Sequence, residues 1–421
     1  MNPLACDTPS AIHAPSWLGL TQDGRLLFWT RIARMFAYGF LSVILALYLS
    51  QLGFSAWLIG IILSLTLMGD TVVSLWMTTA ADRIGRRRML VAGGSLMLFA
   101  GILFALTSNL VWLLVAAIVG VISPSGNEVG PFLAIEQAAL SQTIAGAQRV
   151  RVFSWYNLVG SFATALGALA GGQLSGGLQQ HGVAPLESYR AVLFGYAAIG
   201  GLLCLLFARL SPAIEAPKAD AVTLKNRLGL HRSHSIVMKL SMLFGLDAFA
   251  GGFVVQSMMA YWFHQRFGAD PGTLGAIFFG ANLVAGFSAL AAAPVAARIG
   301  LINTMVFTHL PSNILLLMVP LMPNLPWAIA MLLLRFTISQ MDVPTRQAYT
   351  MAMVDPDERS AAAGITGIAR TIGAGISPAL AGVLIGSAGL ISVPFFLGGG
   401  LKVIYDLLLY RSFCKHAPPE E

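Results

Sequence analysis

The sequence predicts an all-α polytopic membrane protein with about twelve transmembrane helices in two pseudo-symmetric six-helix halves. Hydrophobic residues make up 57% of the 421 residues and charged residues only 10%, whereas about a quarter of the residues in soluble domains are charged. Apolar runs of about 20 residues, long enough to cross a hydrocarbon core, recur from Leu26 to the C-terminus. Such long unbroken runs exclude a β-barrel, which is built from short strands of alternating polarity.

The apolar runs place twelve spans along the chain, each to within a few residues. The predicted spans are 26–51, 55–78, 88–107, 110–136, 152–177, 189–209, 237–263, 272–296, 302–321, 326–349, 361–386 and 389–410. The longest polar run, 215–235, falls between the sixth and seventh spans and indicates a linker between the halves. The predicted segments are therefore an N-terminal segment 1–25, a first half 26–210, an inter-half linker 211–236, a second half 237–410 and a tail 411–421.

Basic residues predict the orientation, because Lys and Arg accumulate in cytoplasmic loops. The loops on one side of the membrane carry Arg83, Arg86, Arg87, Arg88, Arg149, Arg151, Lys218, Lys225, Arg227, Arg232, Arg411 and Lys415. The opposite loops are short and poor in basic residues, with Arg190 and Arg266 as exceptions. We expect a multi-pass protein of the inner (cytoplasmic) cell membrane with both termini in the cytoplasm. Membrane topology thus explains the net charge of +7, and no nucleic-acid partner is expected.

An internal repeat relates the two halves. The tripeptide RIG at 83–85 recurs at 298–300, an offset of 215 residues. RMFAYGF at 34–40 resembles DAFAGGF at 247–253, an offset of 213. An almost constant offset across half of the protein indicates a parallel repeat, since both halves begin on the same side. Parallel six-helix halves are typical of secondary transporters that bind substrate near the midplane, between the halves.

The loop after the second span reads TTAADRIGRRRML, residues 78–90, and resembles the signature loop of the major facilitator superfamily. The matching positions are Asp82, Arg83, Gly85, Arg86 and Arg87. Thr78 stands where the family has a leading glycine. With the twelve spans and the duplicated halves, the resemblance covers essentially the whole chain. It implies that these residues form a cytoplasmic gate, locked by charge pairs in one state; the alternative is that the arginines only fix topology.

A glycine-rich stretch in the fifth span, GALAGG at 167–172, resembles the antiporter motif of the same superfamily with alanine in place of proline. Its counterpart in the eleventh span, SPALAG at 377–382, keeps the proline but not the leading glycine. The partial resemblance implies export rather than import. Glycine-rich helices are also common in membranes, where small residues allow close packing.

Ionisable residues inside the membrane are functional candidates, because their burial in hydrocarbon is costly. The resemblance implies that the first and fourth spans of each half line the cavity, and most such residues fall there. They are Arg34, Glu128, Glu136, Asp247, Arg335, Asp342 and Arg346. Arg34 and Asp247 occupy equivalent positions in the repeat, which predicts opposite charges on the two sides of the cavity. An offset of 214 pairs Glu128 with Asp342, and an offset of 210 pairs Glu136 with Arg346.

The stretch SPSGNEVGPF, residues 123–132, interrupts the fourth span. Its two prolines remove backbone donors and free carbonyl groups for a ligand or a water. We expect a weakened helix that presents Asn127 and Glu128 to the transport pathway, where a carboxylate removed from water takes up a proton more readily. The alternative is a permanent ion pair between Glu128 and a basic neighbour such as Arg34.

Two interpretations remain for each of three further ionisable residues in the predicted spans. Glu136 and Arg346 lie near the predicted cytoplasmic helix ends, so inner-gate salt bridges with the loop motif are favoured over substrate contact. Asp70 in the second span is either a proton carrier or the structural partner of a residue such as Arg370.

These observations predict a secondary active transporter that works by alternating access and exports a small organic compound against protons. One alternative is a proton- or ion-coupled symporter that imports a metabolite; another is a membrane receptor or a membrane enzyme. No nucleotide-binding loop, nucleophile motif or His/Cys cluster occurs, and the three cysteines are scattered. A non-enzymatic monomer without cofactor or metal is expected, with a small-molecule substrate, the proton and the lipid bilayer as partners.

Overall fold

The computed structural model describes residues 20–128, 130–144, 149–215, 232–355 and 358–414, and these form α-helices without any β-strand. Before residue 215 the helices are α1 (Gln22–Ser42), α2 (Leu45–Gln51), α3 (Ala56–Ile84), α4 (Arg86–Leu106), α5 (Leu110–Val119), α6 (Phe132–Thr143), α7 (Arg149–Gln180) and α8 (Pro185–Ala208). After residue 232 they are α9 (His234–Gly252), α10 (Gln256–Phe267), α11 (Pro271–Ile299), α12 (Leu301–Met318), α13 (Leu325–Phe336), α14 (Asp342–Ala352), α15 (Arg359–Ile385) and α16 (Val393–Phe413). Residues 1–19, 216–231 and 415–421 of the predicted terminal segment, linker and tail lie outside the described residues.

The helices account for the predicted spans. Nine helical segments in the described part of the chain are long and apolar enough to cross a membrane, and the pair α1–α2, bent by 41°, is a tenth. The apolar helices α5 and α13, of 10 and 12 residues, begin the remaining two segments, which α6 and α14 continue. The all-α polytopic fold class is confirmed.

Four of the predicted spans are broken, and they are the first and fourth of each half. The breaks lie between α1 and α2, α5 and α6, α9 and α10, and α13 and α14. The prediction of one helix over 110–136 was therefore wrong, since α5 ends at Val119 and α6 starts only at Phe132. The intervening segment contains two prolines, and Gly126 and Gly130 adopt positive φ angles of 70° and 84° that interrupt a right-handed helix.

The sequence repeat extends to local backbone geometry. Gly85 precedes α4 with φ 115°, and Gly300 precedes α12 with φ 83°. Ser55 caps the N-terminus of α3 and Asp270 caps that of α11, each accepting a hydrogen bond from a backbone N–H three residues later. The same offset of 215 residues separates both pairs, so equivalent helices begin in the same way.

The two sets of helices pack through small residues. Helix α3 lies against α15, and α7 lies against α11. A Cβ atom added at Gly60 would come within 2.4 Å of the Pro378 carbonyl oxygen, and one at Gly172 within 2.6 Å of Gly275 Cα. Only glycine permits this approach of the backbones, as is common where membrane helices pack.

These contacts lie toward the side of the membrane opposite the linker, which we call the far side; the other is the linker side. Gly60 is in the second turn of α3 and Gly172 is near the end of α7, both at the far side. At the linker end of α3 the Asp82 side chain is 64% exposed, and near the start of α15 a Cβ on Gly364 or Gly367 would meet nothing within 4 Å. The described contacts therefore hold the halves together at the far side, and the linker-side ends of α3 and α15 are open.

Candidate functional site

A buried ion-pair network connects the first and fourth spans before residue 215. Arg34 is fully buried, about 18 Å along α1 by the rise per residue. Its Nη1 and Nη2 donate to the two carboxylate oxygens of Glu136 at 2.7 and 2.8 Å. Its Nε donates to Glu128 at 3.0 Å. Glu136, also fully buried, accepts further hydrogen bonds from the hydroxyls of Tyr156 and, at 3.1 Å, Thr30.

Glu128 lies in the break between α5 and α6 and contacts two cations, Arg34 and Arg31. Its side chain is 16% exposed, so it forms the more accessible edge of the network. The described contacts thus contain the ion pair between Glu128 and Arg34 that was the alternative to a free pathway carboxylate. Neighbouring Asn127 is exposed, and its carbonyl oxygen accepts a hydrogen bond of 2.7 Å from the Ser123 hydroxyl.

A second buried network connects the first, third, fourth and sixth spans after residue 232. Asp247 on α9 accepts a hydrogen bond of 3.0 Å from Arg346 on α14 and one of 2.5 Å from Lys402 on α16. Asp342 lies 3.3 Å from Arg346, one helical turn away. His309 bridges two acids of this network: its Nε2 lies 3.8 Å from the Asp247 carboxylate, and its Nδ1 lies 2.8 Å from the Asp406 carboxylate. The Asp406 carboxylate also accepts a hydrogen bond of 2.9 Å from Asn313. 

The two networks are related by the sequence repeat with the charges exchanged. Arg34 is equivalent to Asp247 at offset 213, and Glu136 is equivalent to Arg346 at offset 210. The ion pair Arg34–Glu136 therefore recurs as Asp247–Arg346 with its polarity reversed. The repeat indicated both equivalences, but each pair forms within one half rather than across the cavity.

The structure places Glu136 and Arg346 in these networks and not beside the loop motif, where salt bridges were expected. Their pairing with Arg34 and Asp247 occupies both side chains in the described conformation. The physical reason is the helix breaks. The prediction counted residues along one unbroken helix from Leu110, which put Glu136 near the cytoplasmic end. Because α5 ends early and Glu136 lies in the second turn of a new helix, Glu136 lies deeper in the membrane than that count predicts.

Asp70 on α3 is buried without a basic partner among the described residues. It is 8% exposed, and its carboxylate accepts from the Ser74 hydroxyl at 3.5 Å and from the backbone N–H of Gly130. The alternative pair with Arg370 is absent from the described contacts of both residues. Asp70 instead touches the break between α5 and α6, the same segment that carries Glu128.

The loop motif is held by a residue that the sequence did not single out. Gly85 leads into α4, and the backbone N–H groups of Arg86 and Arg87 donate to the carboxylate of Glu215 at 2.6 and 3.3 Å. An anion is favoured at this helix N-terminus by the helix dipole. Within the motif Arg86 pairs with Asp82 at 3.0 Å, while Arg83 is exposed. In this conformation the motif is fastened to the start of the linker.

Sequence reasoning also missed Arg31, Lys402 and Tyr156 as members of the networks. Lys402 lies within an apolar span, which was a sufficient signal for a functional candidate. Its contact with Asp247, 155 residues away, had no signal in a single sequence. No group of three or more His, Cys, Asp or Glu side chains suited to a metal ion occurs in the described part of the chain.

A groove of about 790 Å³ opens elsewhere, on the far side between α3, α10 and α15. Its lining consists of Phe54, Ser55, Ala56, Trp57, Tyr261, Gln265, Gly382, Val383, Ile385, Gly386, Ser387 and Ile391. No Asp, Glu, Lys or Arg lines it, and it lies where the halves are packed together. The charged networks, rather than this groove, are the candidate site.

The chain matches the family model of the Major Facilitator Superfamily over residues 27–341 and 241–421. The protein belongs to this superfamily. It is accordingly a multi-pass membrane transporter of a small molecule, as the twelve-helix fold and the loop motif indicated.

This superfamily member is 30% identical over 424 residues to the uncharacterized membrane protein YJR124C of Saccharomyces cerevisiae, which covers 93% of this chain and 94% of the relative. Solved structures share the fold at lower identity. The nucleoside transporter NupG superposes with a TM-score of 0.71 at 14% identity, covering 94% of this chain and all of that one. The D-xylose-proton symporter superposes with a TM-score of 0.72 at 15% identity, covering 92% and 97%.

Proposed function

We propose that this transporter exports a small organic compound by alternating access, coupled to the inward movement of protons. The observation that carries the proposal is the pair of buried ionic networks on the first and fourth spans of each half. Charges placed in the middle of membrane helices are costly and are retained for function. Here they lie within two sets of helices that pack closely through glycine at the far side of the membrane.

The proton-binding group in this proposal is Asp70. A carboxylate that is buried without a cation is unfavourable, and protonation removes the cost. Glu128, by contrast, is bound by Arg31 and Arg34, and both ion pairs stabilise its charged form. Asp70 accepts a hydrogen bond from Gly130, two residues after Glu128, so a change of charge at Asp70 acts directly on the break.

The break between α5 and α6 joins this carboxylate to the other half. The carbonyl oxygen of Pro124 accepts hydrogen bonds from the backbone N–H of Ser257 at 3.0 Å and from its hydroxyl at 2.8 Å. Glu128, four residues later, belongs to the network around Arg34. One segment therefore touches the proton site, an ionic network and a contact between the halves. This connection is what couples protonation to opening in the proposal.

The remaining predicted residues take three roles in the proposal. The transport pathway is lined by Asn127, Glu128, Arg34, Asp247 and Asp342. The linker-side gate is formed by Asp82, Arg83, Gly85, Arg86 and Arg87. Glu215, whose carboxylate accepts from the backbone of Arg86 and Arg87, joins this gate to the linker. Glu136 and Arg346, which the sequence assigned to the gate, hold the two buried networks together.

The first test measures proton movement in proteoliposomes that contain a pH-sensitive dye, with a panel of anionic, zwitterionic and cationic compounds. We expect substrate-driven alkalinisation or acidification with the parent protein and none with Asp70→Asn, which keeps the shape but cannot change its charge. Glu187→Gln is the matched control, because Glu187 is exposed and its ion pair among the described residues is with the nearby Arg190. Proton movement that survives in Asp70→Asn and disappears in Glu128→Gln would return the proton site to Glu128.

The direction of the proton relative to the substrate decides between the proposal and its alternative. Opposite movement is antiport and supports export; movement in the same direction is symport and supports import of a metabolite. We further propose that the protein is a monomer of the inner (cytoplasmic) membrane with both termini in the cytoplasm. It has no enzymatic activity in this proposal, so turnover of a compound without flux would contradict it.

A further inference from the structure

Two arginines beside the second network have no ion-pair partner among the described residues. Arg335 on α13 is 8% exposed, and its Nε has no hydrogen-bond partner. Arg370 on α15 is half-buried, and its buried Nε is also without a partner. The other basic groups nearby are satisfied, since Arg346 and Lys402 both contact Asp247.

Both arginines lie at mid-depth. Arg335 is ten residues past the start of α13, and Arg370 is eleven residues past the start of α15, or about 15 and 16 Å along helices that enter from opposite sides. Each interacts electrostatically with Asp247 and Asp342, which places both beside the same network. Three acids, Asp247, Asp342 and Asp406, lie in this network with four basic residues, so it holds an excess of positive charge. The basic residues are Arg335, Arg346, Arg370 and Lys402.

An unpaired guanidinium inside a membrane protein is expensive. Its planar, forked donors match a carboxylate, sulfonate or phosphate group, and such charge-assisted hydrogen bonds are the strong ones. The first network offers no comparable group for a cation, because Glu128 and Glu136 are both bound by arginines. Apart from Asp70, which the proposed function assigns to the proton, the free hydrogen-bonding capacity of the described networks therefore favours a negatively charged ligand.

We propose that the transported compound is an organic anion whose acidic group is bound between Arg335 and Arg370. This inference rests on the proposed transport function and names its substrate class. The anion supplies the missing partner for both guanidinium groups at the depth where the halves face one another. Arg346, which Asp247 and Asp342 neutralise, does not take part in binding.

The test uses the purified full-length protein in phosphatidylcholine nanodiscs and measures its thermal unfolding. The probes are benzoate, hexanoate, benzenesulfonate, phenyl phosphate and succinate, with benzylamine, hexylamine and benzyl alcohol as counterparts of equal skeleton. We expect at least one anion, and none of the counterparts, to raise the unfolding temperature. Arg335→Met and Arg370→Met should each weaken the apparent affinity for that anion about tenfold or more. Arg190→Met removes a half-buried far-side arginine that pairs with Glu187 outside this network, and it should leave the affinity unchanged.

The unliganded variants separate a binding role from a structural one. A buried cation without a partner destabilises the fold, so Arg335→Met should unfold at the same temperature as the parent or higher. The inference would be overturned if an amine or an alcohol raised the unfolding temperature, or if no anion did. It would also be overturned if an anion stabilised both arginine variants as much as it stabilises the parent. So would a loss of stability in Arg335→Met together with unchanged anion binding.

Two further measurements distinguish a lipid site from a substrate site and the substrate class from the transport function. Nanodiscs that contain phosphatidylglycerol test for a lipid headgroup; stabilisation by that lipid alone, lost in Arg335→Met, would assign the site to lipid and overturn the inference. Flux measured in proteoliposomes distinguishes the two proposals from each other. Proton-coupled flux of a cation would overturn the substrate class and leave transport intact, whereas anion binding without coupled flux of any compound would contradict the proposed function alone.

Discussion

At the scale of single residues, the halves contain the same ion pair with opposite polarity. Arg34–Glu136 and Asp247–Arg346 each close within one half, with oxygen-to-nitrogen distances of 2.7 and 3.0 Å. Neither pair spans the interface between the halves. Alternating access can therefore separate the halves without breaking a buried salt bridge, a step that would cost several kcal/mol.

Removing one partner of either pair leaves a buried charge without compensation. We expect Glu136→Gln and Asp247→Asn each to lower the free energy of unfolding by about 3–5 kcal/mol. Asp82→Asn is the control, since the Asp82 side chain is 64% exposed and ion pairs of exposed carboxylates contribute about 1 kcal/mol or less. Denaturant unfolding of the purified variants in detergent measures the difference, and equal stability of all three would refute the structural role of the pairs.

At the scale of the helices, glycine determines how closely the halves meet at the far side. Gly172 on α7 approaches Pro271 and Gly275 on α11, whereas a Cβ on Gly177, five residues later on α7, would meet nothing within 4 Å. The same type of residue on one helix is thus critical at one position and neutral at another.

Gly172→Leu should prevent closure of the far side and shift the conformational equilibrium toward the state that opens there. Distances between spin labels on the far-side ends of α3 and α15 report this shift, and we expect them to lengthen. Gly177→Leu supplies the matched control and should leave the distances unchanged. Unaltered distances in Gly172→Leu would show that the helices slide past the added side chain.

At the scale of the whole molecule, hydropathy and the repeat predicted the twelve segments and the all-α fold. The repeat also indicated that Arg34 is equivalent to Asp247 and Glu136 to Arg346, because a nearly constant offset relates the two halves. The partners themselves were not predictable, since Lys402 meets Asp247 and Glu215 meets Arg86 across more than one hundred residues. The length of the break between α5 and α6 was also missed, because prolines indicate where a helix weakens but not how much backbone leaves it.

The predicted topology places the C-terminus and the linker on one side. Cys414 is exposed at the end of α16, so a membrane-impermeant maleimide should label it only from the cytoplasmic side of oriented vesicles. Gln265→Cys in a background without other cysteines provides the opposite control at the far side. Labelling of both from the same side would contradict the orientation that the basic loops predict.

The shortness of α5 has a consequence for how the protein enters the membrane. Its ten residues extend about 15 Å, half of a hydrocarbon core of about 30 Å. The following segment brings Glu128, a charge whose insertion alone costs about 2.5–3.5 kcal/mol. The counter-charges, Arg31 and Arg34, were synthesised almost one hundred residues earlier. The first span is therefore already in the bilayer when the fourth span is inserted. A nascent chain that lacks the first span should fail to keep the fourth span in the membrane.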